Sequence, residues 1–117
     1  MRSTSAPYAK KKRKRIFKKA KGFYGDRKNH LRLTKDAVLK ALAYNYEHRK
    51  HKKREFRRLW TIRINAACRI NGISYSKFID GMKKIGCAIN RKILSDLAIN
   101  DPIAFKEIVE LSKTSFA

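Results

Sequence analysis

The sequence predicts an all-α protein: a basic N-terminal arm and long helix, followed by a small compact helical C-terminal domain. Three observations predict it. From Thr34 onward no Pro or Gly interrupts the chain until Gly72. Beyond Gly72 come three short segments, each carrying its own helix-start residue. The charge is also split. Residues 1–58 hold 22 Lys/Arg against 4 Asp/Glu, a net of +18, while residues 59–117 hold 9 against 5, a net of +4. The boundary drawn from this split separates a basic arm and long helix, 1–58, from a globular α-helical domain, 59–117. A chain of 117 residues suits one small domain with such an extension.

Taken in order, residues 1–9, "MRSTSAPYA", lack a periodic apolar pattern and read as an extended tail. Lys10 to Lys21 places Ile16, Phe17 and Ala20 at helical spacing, which predicts a short helix weakened in water by like charges one turn apart. Gly22 and Gly25 bracket Phe23 and Tyr24 and predict a bend. Thr34 is the expected N-cap of the long helix, with Asp36 in its first turn. Val38, Ala41, Leu42 and Tyr46 form one apolar strip. Phe56, Leu59, Trp60, Ile64 and Ala67 resume another, and the cation-rich "HRKHKKREFRR" (His48 to Arg58) lies between. The reading is one helix of about 37 residues, roughly 55 Å at ~1.5 Å per residue. Polar all round its middle, such a helix needs something other than this small protein to lie against.

The three short helices are punctuated by local chemistry. Ser74 caps the first, and Gly86 ends it as the residue past the C-cap; Phe78, Ile79, Met82 and Ile85 make its apolar face. Asn90 caps the second, with Ile93, Leu94 and Leu97 inward. Asp101 caps the third, with Pro102 at its first position. Phe105, Ile108 and Val109 face the core there, with Leu111 a further candidate.

A formal net charge of +22 calls for a polyanionic partner, because self-repulsion opposes compaction until counter-charge arrives. Nucleic acid, an anionic membrane and an acidic protein are the candidates. Lys10 to Lys21 contains no acid at all, unlike an ordinary solvated face, which mixes both signs. Phosphate neutralisation with counterion release is the chemistry that rewards this arrangement. The candidate RNA-binding cations of the arm are Lys10, Lys11, Lys12, Arg13, Lys14, Arg15, Lys18, Lys19, Lys21, Arg27 and Lys28. Arg49, Lys50, Lys52, Lys53, Arg54, Arg57 and Arg58 follow on the long helix. Phe23 and Tyr24, beside glycines in a basic loop, are candidates to contact RNA, whose unpaired bases stack on aromatic rings. Tyr44 and Tyr46 suit either such stacking or packing. Arg63 and Arg69 are candidate RNA contacts: about 240° apart around a helix, they cannot both centre one inward face, whereas Trp60, Ile64 and Ala67 can.

Other chemistries lack their residues. His48 and His51 are one turn apart but have no third ligand nearby and sit among cations, so neither a metal nor a cofactor is expected. Asp80, Asp96 and Asp101 fit capping or surface roles, and no nucleophile or phosphate-loop motif is present; an enzyme and a small-molecule substrate are therefore not expected. Cys68 and Cys87 read as small, partly buried thiols of a reducing cytoplasm. No run of about 18 apolar residues predicts a membrane span.

At "KREFRRLWTIRINAACR" (Lys53 to Arg69) and "NGISYSKFIDGMKK" (Asn71 to Lys84) the chain resembles the bacterial-type large-subunit ribosomal protein L-twenty family. "KKAKGFYG" (Lys18 to Gly25) and "NRKILSDLA" (Asn90 to Ala98) extend the likeness over nearly the whole chain. The Trp60–Arg63–Asn65–Arg69 spacing with the Asn71–Phe78 run is its most specific part. One departure is that Thr61 precedes Ile62 where the family usually has an aliphatic first. The resemblance implies a structural constituent of the large ribosomal subunit, with a basic helical arm threaded through 23S-type large-subunit ribosomal RNA and a small α-domain at the surface. It implies a role in early subunit assembly and none in peptide-bond chemistry, with neighbouring large-subunit ribosomal proteins as further partners. It also implies, in some bacteria, repression of the protein's own messenger RNA. The expected location is the cytoplasmic ribosome, with an organellar ribosome left open. The alternative is a non-ribosomal basic DNA-binding or DNA-packaging protein. Against it, the basic helix lacks a following heptad zipper and the C-terminal helices lack a recognition helix rich in base-reading side chains.

Overall fold

The computed structural model describes residues 4–116. It is all-α: α1 (Ala6–Lys19), a single 3-10 turn (Gly25–Arg27), α2 (Leu31–Ile70), α3 (Tyr75–Lys84), α4 (Arg91–Asn100) and α5 (Pro102–Thr114), with no strand among the described residues. Contacts divide the chain into two compact units, Met1–Lys50 and His51–Ala117, and α2 contributes to both.

In the N-terminal unit, α1 starts earlier than the sequence reading had it. Residues 6–9 are helical rather than extended, because Pro7 sits in the first turn, where its missing N–H costs nothing. Residues 1–3 of the expected tail lie outside the described residues. Lys18 and Lys19 close the last turn, where cations favour the helix dipole, and the Ala20 N–H reaches the carbonyls of Ile16 and Phe17, each at 3.2 Å. Gly22 (φ +85°) and Gly25 (φ +62°) then adopt left-handed backbone that side-chain-bearing residues rarely take, and so reverse the chain.

The long helix begins at Leu31, and Thr34 is not its N-cap. The Thr34 N–H donates to the His30 carbonyl at 2.8 Å, which places Thr34 inside the first turn. Its side chain is fully buried, and its hydroxyl has no hydrogen-bond partner. Asp36 therefore falls in the second turn. Apart from Thr34, the buried residues among those described in this unit are Ala20 and Val38. Burying one valine contributes roughly 1.5–3 kcal/mol. Ordering the backbone costs about 1–2 kcal/mol per residue. A 14-residue α1 covered on every side by cations has little apolar burial to set against that cost.

In the C-terminal unit the balance is different. Ile64, Cys68, Ile73, Phe78, Met82, Leu94, Phe105 and Val109 form a continuous buried cluster, with the Phe78 and Phe105 rings 5.5 Å apart and tilted by 42°. Ala67, Ile79, Leu97 and Ile108 pack around it. The caps are those the sequence announces. Ser74 Oγ accepts the Lys77 N–H at 3.4 Å, Asn90 Oδ1 accepts that of Ile93 at 3.0 Å, and Asp101 Oδ1 accepts that of Ala104 at 3.0 Å. Gly86 stands past the end of α3 at φ +72°, and the Cys87 N–H donates to the Met82 carbonyl at 3.0 Å, closing the turn.

Three expected core residues are not in the core: Ile85, Ile93 and Leu111 are 46%, 49% and 58% exposed. Small residues take inward places instead. Ser95, Ser112 and Gly81 are buried, and the Ser112 hydroxyl donates to the Val109 carbonyl at 2.7 Å, which satisfies it. For Gly81 and Ser112 the reason is the close approach of α3 to α5. A Cβ placed on Gly81 would lie 2.6 Å from the Ser112 carbonyl oxygen. Lys113 on α5 donates to the Asn71 carbonyl at 2.9 Å, tying α5 to the end of α2.

Candidate nucleic-acid interface

Every cation proposed from the sequence is exposed: the α1 set, Lys21, Arg27 and Lys28 after it, the run from Arg49 to Arg58 on α2, and Arg63 and Arg69. Exposure follows from the fold. α1 has no buried residue, so its lysines and arginines point outward around its circumference. On α2 the buried positions end at Val38 and resume at Ile64, so the intervening cations have no interior to face.

The aromatic residues divide. Tyr24, on the turn between the two glycines, is 94% exposed, whereas Phe23 is half-buried. Tyr44 stacks on His48, ring centroids 5.7 Å apart at 14°. Tyr46 lies beneath the Lys50 ammonium, 4.6 Å from the ring centroid. On α2 beyond it, Lys52 stands 5.9 Å from the Phe56 ring, and Phe56 meets Trp60 at 6.3 Å. Phe56 is exposed and Trp60 only partly buried, so the inward face of α2 is carried by Ile64 and Cys68 rather than by these rings.

Arg63 lines a groove with Trp60, Lys92, Ile93 and Asp96, while Thr61 turns its hydroxyl to the Arg57 carbonyl at 3.0 Å and leaves Arg63 outward. Three further cations, Arg32, Lys35 and Lys40, are exposed on the first turns of α2. Reasoning from charge runs missed them because they are isolated in sequence; only their share in the +18 half marked them. Arg15, Lys19 and Lys35 frame an apolar groove floored by Ile16, Val38 and Leu39.

Catalytic chemistry has little to work with. Burial pushes the Cys68 thiol up to about 11 from its ordinary 9.0, which keeps it protonated and a poor nucleophile at neutral pH. Among the described residues, no three His, Cys, Asp or Glu side chains gather where a metal ion could be held, and no helix is long and apolar enough to cross a membrane.

Comparison with known proteins gives a consistent result. The family model described as Ribosomal protein L20 matches residues 2–108. The chain is 60% identical over 117 residues to the large ribosomal subunit protein bL20 of Protochlamydia amoebophila, covering 100% of this chain and 99% of that one. It is 55% identical over 106 residues to the bL20 protein of Natranaerobius thermophilus, 91% of each chain. It is 49% identical over 113 residues to that of Chlamydia felis, 97% of this chain and 93% of the other. With an exposed cationic arm, a small capped helical unit and a match across nearly its whole length, the chain belongs to the Ribosomal protein L20 family.

Proposed function

We propose that this protein is a structural constituent of the large ribosomal subunit in the cytoplasm, that it binds large-subunit ribosomal RNA, and that it aids early assembly of that subunit. It belongs to a family of structural, non-enzymatic ribosomal proteins. The observation that carries the RNA reading is α1 with its flank: Lys10 to Lys21 is free of acids and wholly cationic on its exposed surface. Such a surface neutralises phosphates and gains affinity from released counterions.

Residues 1–58 act as the RNA-binding part and residues 59–117 as the unit that folds on its own core. The candidate contacts are the cations named above together with Tyr24 and Phe23; Arg63 and Arg69 extend the contact onto the C-terminal unit. Exposed apolar side chains there, Ile70 and Ile103 foremost, suit neighbouring large-subunit proteins. For the repression of its own messenger RNA that the resemblance implies in some bacteria, Arg63 and Arg69 are the proposed contacts on that unit.

The test is reconstitution. Large-subunit particles washed at moderate salt carry the chain, and assembly reactions lacking it stall at an earlier particle that its addition rescues. Sedimentation with small subunits, or tighter binding to duplex DNA than to large-subunit RNA, would favour the DNA-packaging alternative instead.

A further inference from the structure

The N-terminal unit contains a groove of about 650 Å³ that is chemically unlike the rest of the arm. Its volume lies within the roughly 300–1,000 Å³ of small-ligand sites. Aromatic surface comes from Phe23, Tyr24 and Tyr44, positive charge from Arg27 and Lys40, and one carboxylate from Asp36. The Gly22–Gly25 turn brings Tyr24 to this groove, and Tyr44 is braced from one side by its stack on His48. The Asp36 side chain makes no hydrogen bond or ion pair with any described residue, although Lys40 is one turn away.

A lone carboxylate on a surface built for phosphates weakens binding unless it meets a donor. An ionised carboxylate can only accept hydrogen bonds. Unpaired RNA bases present their Watson–Crick edges to proteins while stacking on aromatic rings. Guanine alone sets two donors side by side on that edge, N1–H and the N2 amino group, matching the two carboxylate oxygens. Adenine and cytosine place one amino group beside an acceptor nitrogen, and uracil sets its N–H between two carbonyls that a carboxylate repels.

We infer that this groove receives one unpaired guanine of the bound RNA, stacked against Tyr24 and Tyr44, with its Watson–Crick edge on Asp36 and its flanking phosphates on Arg27 and Lys40. The inference rests on the RNA-binding reading above and adds a base-specific contact to it. Asp36 separates it from a solvated acid beside surface aromatics. If Asp36 is merely solvated, Asp36→Asn removes a repulsive charge and tightens RNA binding. If Asp36 holds guanine, the same change loses a base contact.

The experiment uses the full chain with a transcript of large-subunit ribosomal RNA and kethoxal, which reacts with guanine at N1 and N2. The protein protects one single-stranded guanine, and Asp36→Asn and Tyr44→Ala each return its reactivity to that of free RNA. Both side chains are exposed on α2, and circular dichroism verifies that the variants keep their helix content. In a synthetic fragment, replacing that guanine by inosine removes the N2 amino group. It takes away one of the two hydrogen bonds, weakens the unmodified protein roughly three- to tenfold, about half the free energy of a bidentate base contact, and leaves Asp36→Asn unaffected. RNA binding with no guanine whose protection depends on Asp36 and Tyr44 overturns the guanine site and leaves the RNA-binding reading standing. Failure of the unmodified chain to bind the transcript overturns both.

Discussion

The two units of this protein are helical for different reasons. In the C-terminal unit, α3, α4 and α5 are short, capped by Ser74, Asn90 and Asp101, and closed over Phe78, Leu94, Phe105 and Val109. Each helix is individually marginal, and shared burial supplies its stability. In the N-terminal unit, no residue of α1 is fully buried, Ile16 and Phe17 being only partly so, and the helix carries eight cations between Lys10 and Lys19. Cations one turn apart repel one another, and α1 has little apolar packing to offset that repulsion. On the RNA-binding reading proposed above, folding order is intrinsic in the C-terminal unit and linked to the ligand in the N-terminal one, since whatever binds the ordered form stabilises it.

Neutralising the six cations from Lys10 to Arg15 with glutamine should break the contrast most visibly. Each lost phosphate contact lowers the log–log salt slope of RNA binding by about 0.7–0.9, so six contacts account for roughly four to five units of slope. The melting transition of the C-terminal unit stays where it was, because none of those side chains belongs to its core. Titrations at several salt concentrations, paired with thermal melts, read both quantities.

Phe78→Ala has the opposite signature. It removes a fully buried ring that meets Phe105, and should cost about 3–5 kcal/mol of stability by urea denaturation. The salt slope contributed by α1 is retained. Gly81→Ala is a smaller and more local probe. The added Cβ must push the Ser112 backbone away from 2.6 Å, which should cost about 1–3 kcal/mol as overpacking. A neutral or stabilising result there would mean that α3 and α5 can part more easily than their contact implies.

Much of this contrast can be read from the sequence, but unevenly. The caps are legible because the side chain that accepts the hydrogen bond and the N–H that donates it are three residues apart. The Gly86 stop is local in the same way. Thr34 is a good capping residue by type, so the sequence places the start of α2 there, whereas its N–H bond to the His30 carbonyl and its burial put it inside the first turn. Ile85 and Ile93, with Leu111 a further candidate, read as inward on hydrophobicity, which does not require burial of every apolar residue. Ser95 and Ser112 carry no sequence signal for burial; at Ser112 the close approach of Gly81 makes a small residue fit. In the candidate interface, cation exposure was legible from density of charge alone. The Asp36 groove is not, because it exists only after the Gly22–Gly25 turn brings Tyr24 near residues 9 to 20 positions along the chain.

The most direct test of the central claim is amide hydrogen exchange on the full chain, with and without large-subunit ribosomal RNA. In the free protein, amides of α3 and α5 should be strongly protected, while those of α1, Ala6–Lys19, exchange at nearly the rate of an unstructured peptide. Added RNA should protect α1 and change α5 little. Protection of α1 in the free protein as strong as that of α5, or α1 amides that stay fast when RNA is bound, would contradict the claim that the N-terminal unit takes its order from its ligand.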